Sequence, residues 1–179
     1  MTRPRRRKED PVAKRSAARE PAAFTVLWSA TEVAQFKERY PGAPPRCCVL
    51  LGGWNQQTRF GRAGVRPGDT VYPVHVAKKR LYVLTRLVVT DIDDDGVTER
   101  LNGALGARFH FDLAVPAALL ERWRFAGGRE PRPIKFLADG EVTRANSFQG
   151  VYRLSQQTAS DLFGLILDRE ARDHSISFS

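Results

Sequence analysis

The apolar positions of this chain fall into short runs punctuated by glycine and proline. Residues 24–28 form a first run, Phe-Thr-Val-Leu-Trp, read as a strand. Ser29 with Glu32 three positions on is a capping box, so a helix carrying Val33 and Phe36 is predicted to end near residues 40–42. A second strand is predicted over residues 46–51, stopped by Gly52-Gly53. Residues 54–69 show no period and end in the turn Val65-Arg-Pro-Gly-Asp69. Residues 70–76 then alternate, with Tyr72, Val74 and Val76 on one face; Pro73, on the other, implies a sheet edge or a bulge. A long β-branched and leucine-rich strand is predicted over residues 80–92, and Asp93-Asp-Asp-Gly96 turns the chain into further strands at 97–101 and 107–113. In the last of these Phe109 and Phe111 share a face opposite Arg108 and His110. Pro116 opens a short helix through Leu119, Leu120 and Trp123, and Asp139-Gly140 joins a hairpin of residues 135–138 and 141–144. Residues 147–154 carry a final strand signal. Ser155 caps a C-terminal helix with Leu162, Leu165, Ile166 and Arg169 at helical spacing.

Short strands with a few helices and no regular strand–helix alternation predict an α+β fold, a small mixed β-barrel with peripheral helices. The 179 residues suit one domain, placed at residues 23–179. Residues 1–22 differ in kind: eight basic residues against three acidic ones give this segment a net +5 out of the chain's +9, and its apolar content is Val12 and alanines. They are read as a disordered arginine-rich arm, the sort of block that attracts polyanions. The basic residues are 23 Arg and 6 Lys, a skew that a G+C-rich genome also produces, so charge alone leaves a compositional explanation standing.

The chemistry-bearing residues exclude more than they assign. His75, His110 and His174 show no ligand spacing, and Cys47 and Cys48 are adjacent, so no metal site and no disulfide framework are expected. Asp93–Asp95 lack the alternating ligands of a calcium loop. No serine elbow and no phosphate loop is present, and neither a cofactor nor a catalytic residue is predicted. Apolar runs are far shorter than the ~20 residues of a membrane helix, which with the absence of an apolar signal core predicts a soluble, cytoplasmic protein.

Residues 52–62, Gly-Gly-Trp-Asn-Gln-Gln-Thr-Arg-Phe-Gly-Arg, are the richest segment. Trp54 and Phe60 offer stacking faces, Asn55, Gln56, Gln57 and Thr58 offer base-edge donors and acceptors, and Arg59 and Arg62 offer phosphate contacts. The competing reading is a polar loop whose two aromatics plug the core. A weaker candidate is residues 146–153, where Gln149 and Arg153 stand among aromatics.

The order of these features resembles the PUA-like superfamily, in particular its EVE, ASCH and YTH branches. The resemblance spans residues 24–92: an opening strand ending in Trp28, the Trp54-Asn55 loop, then Val65-Arg-Pro-Gly-Asp69 leading into a strand. It implies a small barrel that binds RNA or a modified base in a pocket beside the Gly-Asp turn, with Trp28, Trp54 and Asn55 at the aromatic and amide positions. Asn55 directly follows its Trp here, where the EVE loop carries a Val-x-Asn element. The expected function is a non-enzymatic reader of RNA or DNA. The alternatives are an ASCH-like nuclease or hydrolase, drawing on Asp69, His75, Lys78 and Lys79, and a protein-interaction module whose basicity is only compositional.

Overall fold

The structure is a computed structural model and describes residues 19–41, 47–52, 59–96 and 98–176. Its elements run β1 (Ala23–Trp28), α1 (Ala30–Arg39), β2 (Cys47–Gly52), α2 (Phe60–Ala63), β3 (Thr70–Ala77), β4 (Arg80–Val83), β5 (Leu87–Asp94), β6 (Glu99–Leu105), α3 (Ala117–Arg122), β7 (Leu137–Ala138), β8 (Glu141–Val142), β9 (Val151–Arg153) and α4 (Gln156–Ile176). Among the described residues, seven strands form one sheet in the order β2-β6-β5-β3-β1-β9, with β4 also on β3, and β7 pairs with β8. β1 and β3 are parallel and the other pairings antiparallel. The end strands β2 and β9 do not pair with each other.

The sheet nonetheless curls. In a flat sheet β6 and β9, four strand spacings apart, would stand about 19 Å from one another. The single helical turn of α2, about 6 Å long, lies against β9 while its first amide is held by Glu99 of β6. The strands wrap around Phe60, which is fully buried in a core drawn from Leu50, Leu101, Leu87, Val71, Phe24 and Val151, one side chain from each strand of the wrap. The opposite face of β3 and β4 gives Tyr72, Val74, Leu81 and Val83 to a second core, closed by Trp123, Phe148, Leu162 and Ile166.

Local chemistry explains most boundaries. The Ser29 side chain accepts from the Glu32 amide at 3.2 Å, and the Glu32 carboxylate accepts from the Ser29 amide at 2.6 Å, so α1 starts with the expected capping box. Lys78 and Lys79 have φ of 48° and 61°, and Asp139 and Gly140 51° and 73°, so both hairpins turn through two left-handed residues, matching strand twist. A side chain at Gly140 would also collide with the Ala117 Cβ at 2.5 Å.

Three predicted elements are corrected. The strand expected over residues 80–92 is two strands, because Val74 pairs with Val83 but Val71 with Leu87: four steps on one side face three on the other. The extra residue lies opposite Pro73, whose carbonyl accepts from the Leu84 amide at 2.9 Å. The side that lacks a proline N–H is thus where β3 changes partner from β5 to β4, so a proline sits in a central strand by virtue of a bulge. Residues 107–113 are not a strand. They run past Leu84 with isolated bonds, from the His110 amide to the Leu84 carbonyl at 2.6 Å and from the Val83 amide to the Leu113 carbonyl at 3.0 Å. The signal over 147–154 divides into a 3-10 turn, Ala145–Phe148, and β9. Among the described residues no helix is long and apolar enough to cross a membrane.

The expected arm boundary also moves. Residues 1–18 lie outside the described residues, but Arg19 to Ala22 dock on the fold. Asp69, buried, accepts from the Ala22 amide at 2.7 Å and from the Arg66 amide at 2.9 Å, and its carboxylate pairs with Arg19 at 3.2 Å. Ala22 in turn accepts from the Thr70 amide at 2.8 Å. A carboxylate immediately before β3 therefore fixes the approach to β1, its parallel neighbour.

Candidate nucleic-acid interface

Phe60 to Ala63, read as loop, fold into α2 because two acids and two glycines support it. The Glu99 carboxylate accepts from the Phe60 amide and, at 3.2 Å, from the Gly61 amide, placing negative charge on the helix start. A Cβ at position 61 would sit 3.0 Å from that carboxylate, so glycine permits the approach. Gly64, with φ of 83°, ends the turn. Arg59 precedes the helix and donates to Asp94 at 3.4 Å and to the Gly96 carbonyl at 3.0 Å, which ties α2 to the β5–β6 hairpin. Asp94 and Asp95 cap that same hairpin, accepting from the Gly96 and Thr98 amides at 2.8 Å and 2.7 Å.

Two site expectations change accordingly. Phe60 is not a stacking surface: its ring is the centre of the curled sheet. Arg59 is engaged with the hairpin and only partly exposed, while Arg62 on α2 is exposed. Trp28 is buried at 8% exposure, at the base of an aromatic group with Phe36 at 5.3 Å and Phe109 at 5.8 Å. Trp54, Asn55, Gln56 and Thr58 lie outside the described residues.

The second candidate segment comes to the first. On β9, Val151 pairs with Val26 and Arg153 with Phe24, and Val26 and Phe24 belong to the core that holds Phe60. Val151 and Arg153 therefore lie on the face occupied by α2, which packs against β9. Arg153 is exposed on β9 and Arg62 on α2; Gln149, before β9, and Arg66, after α2, are exposed as well. Elements about ninety residues apart in sequence, one carrying Arg62 and the other Arg153, thus pack together.

No family model matches the chain, and no curated protein is similar to it in sequence. The fold has a counterpart in the solved structure of a hypothetical protein from Leishmania major, with a TM-score of 0.52 and 11% identity over 84% of this chain and 98% of that one. At that identity the likeness establishes the fold. The chain is a mixed α+β domain with a largely antiparallel sheet and peripheral helices.

The residues weighed for hydrolysis do not converge. Asp69 precedes β3 and Lys78 follows it, so an eight-residue strand, about 26 Å at 3.3 Å per residue, separates them. Asp69 holds two backbone amides, the His75 Nδ1 lies 3.0 Å from the Trp28 carbonyl, and Lys79 pairs with Glu141 at 3.1 Å. Among the described residues no group of three His, Cys, Asp or Glu side chains is placed to hold a metal ion. Sequence reasoning missed Glu99 as the support of α2, since nothing in the spacing links it to Phe60. It also missed the grouping of Phe36 and Tyr40 with Phe109 and Phe111, although the shared face of the last two was visible.

Proposed function

We propose that this chain is a non-enzymatic nucleic-acid-binding domain of PUA-like type. The observation that carries the reading is the packing of α2, which carries the exposed Arg62, against the edge strand β9, which carries the exposed Arg153. The docking of Arg19 on Asp69, which also holds the Arg66 amide, starts the basic N-terminal segment from the same neighbourhood. The barrel-like reading is supported by the curl of the sheet around Phe60, and the PUA-like reading by Trp28 ending β1 and by Gly68-Asp69 leading into β3. In this proposal the edge and the arm hold phosphates, which supplies salt-dependent affinity, while Trp54 and Asn55 select a base.

The test is a titration of RNA and DNA oligonucleotides at several salt concentrations. Replacing Arg62 or Arg153 by alanine is expected to lower the salt slope by about one for each lost phosphate contact. Trp54→Ala is expected to weaken binding with the slope intact. Parental slopes in both arginine variants would remove the edge from the interface.

A further inference from the structure

Phe36, Tyr40, Phe109 and Phe111 form a ledge of rings that the proposed phosphate-binding edge does not use. Ring centroids lie 4.3 Å apart for Phe36 and Phe109, 4.8 Å for Phe36 and Tyr40, and 6.0 Å for Phe109 and Phe111, the last pair within 22° of parallel. Trp28 lies beneath. All four upper rings remain partly exposed, although Phe36, Phe109 and Phe111 pack on the core that contains Phe60. Each ring therefore contributes one side to the fold and leaves part of its surface to solvent. The Lys37 ammonium stands 4.6 Å from the Phe111 centroid, which shows that a cation reaches this ring's face. Arg39, also exposed, adjoins Tyr40 in sequence. The neighbouring acid Asp112 is neutralised by Arg169 at 2.9 Å.

We infer that this ledge is a stacking platform for the unpaired bases of a single-stranded nucleic acid, with Lys37 contacting its phosphates. The inference rests on the nucleic-acid reading above and adds the strand state of the ligand. Partly exposed aromatic rings bordered by cations are the features that bind single strands without regard to sequence, because every base has a stacking face. A duplex keeps its bases stacked on one another and offers only phosphates to the same surface. An exposed cation over a ring is held less strongly than a stacked base, so a base displaces Lys37 from Phe111 toward a phosphate.

The experiment uses the full chain, labelled single strands of about ten nucleotides and a duplex of equal length, titrated at three salt concentrations. The variant Phe109→Leu with Phe111→Leu keeps apolar bulk and removes the stacking faces. It is expected to lose roughly 5- to 100-fold in single-strand affinity, with an unchanged salt slope and unchanged duplex binding. A parent that binds single strands and a folded variant that binds them equally well would overturn the platform and leave the phosphate-binding edge standing. A parent that binds no nucleic acid would overturn both. If the double variant does not fold, the exposed Lys37→Gln decides: a single-strand slope lower by about one supports the platform, and an unchanged slope overturns it.

Discussion

Two aromatic groups in this protein are built from similar residues and packed in different ways. Trp123, Phe125 and Phe148 meet edge to face at interplanar angles of 66° to 90°. Trp28, Phe36, Phe109 and Phe111 are inclined to one another by only 22° to 52°. Edge-to-face contact sets the positive rim of one ring on the negative face of another and fills space on all sides, and Trp123 and Phe148 are fully buried. Shallow inclination leaves ring surfaces pointing the same way, and three of the four rings in the second group stay partly exposed. The first arrangement is what a core closed by α3 and α4 needs. The second leaves a surface on which another flat group can continue the stack. Exposure and ring inclination, more than aromatic content, separate the closed group from the open one.

The sharpest break of that contrast is a stability measurement. Trp123→Ala should cost about 3–5 kcal/mol in urea denaturation, the range for deleting a large buried aromatic. Phe111→Ala should cost well under half of that. Equal losses would show that both groups are core. Trp123→Phe should be milder than its size change suggests, since the buried indole Nε1 has no hydrogen-bond partner and the change removes that orphan donor. Next in size, Val83→Ala and Leu84→Ala should each cost about 2–4 kcal/mol by the same measurement. Both side chains are fully buried, but Val83 belongs to the core of Trp123 and Leu84 to that of Phe60. Adjacent residues thus report on the two cores separately. A loss below about half a kilocalorie, typical of surface changes, at either site would mean that the core in question is loosely packed.

These two residues also show how far the sequence could be read. Two apolar runs, Leu81 to Leu84 and Leu87 to Val89, separated by Thr85 and Arg86, imply burial on both faces, and both cores do draw on them. The capping box at Ser29, the Asp139-Gly140 turn and the C-terminal helix were legible for the same reason: each is fixed by residues within a few positions of one another. The bulge opposite Pro73 was half legible, since proline announces an irregularity without saying which strand absorbs it. Long-range features were not legible. Glu99 beneath Phe60 and Arg153 beside α2 depend on the curl of the sheet, and Asp69 beneath Ala22 on the parallel pairing of β1 with β3, neither of which a local pattern encodes. Phe60 was misread on that account, as its flanking glycine and arginines look like a pocket rim until Glu99 turns them into a helix start.

Asp69 gives an intermediate test, confined to the face that carries the open aromatic group. Replacement by alanine leaves the Ala22 and Arg66 amides without their acceptor, and an unsatisfied buried donor costs about 1–3 kcal/mol. Asp69→Asn keeps an acceptor oxygen and should lose less. Arg19→Ala removes only a part-exposed pair and should cost under about 1 kcal/mol. Denaturation of the three variants should follow that order. If Arg19→Ala were as costly as Asp69→Ala, the ion pair rather than the two amides would be the anchor.

The weakest effect expected concerns His110, which lies on the seam between the two groups. Its neighbours Phe109 and Phe111 face the open rings, while its own side chain is buried toward α4. The Nδ1 atom is 3.9 Å from the Asp173 carboxylate, too far for a hydrogen bond, and Nε2 has no partner. Burial pushes the imidazole pKa below its ordinary 6.5; Asp173, Glu170 and Asp112 pull it up, and Arg169 adds to the downward shift. The neutral form is therefore favoured by folding. Stability is complete above pH 6.5 and declines as the pH falls below it, because the unfolded chain takes up a proton that the folded chain resists. His110→Leu has nothing to protonate and also removes the orphan Nε2. Melting temperatures of parent and variant at about pH 7.5 and about pH 5.5, either side of the ordinary histidine range, isolate the effect from other titrations. The parent should lose more on acidification than the variant. A parent that instead gains relative to the variant would mean that Asp173 closes on a protonated His110, fastening residues 107–113 to α4 more tightly in acid.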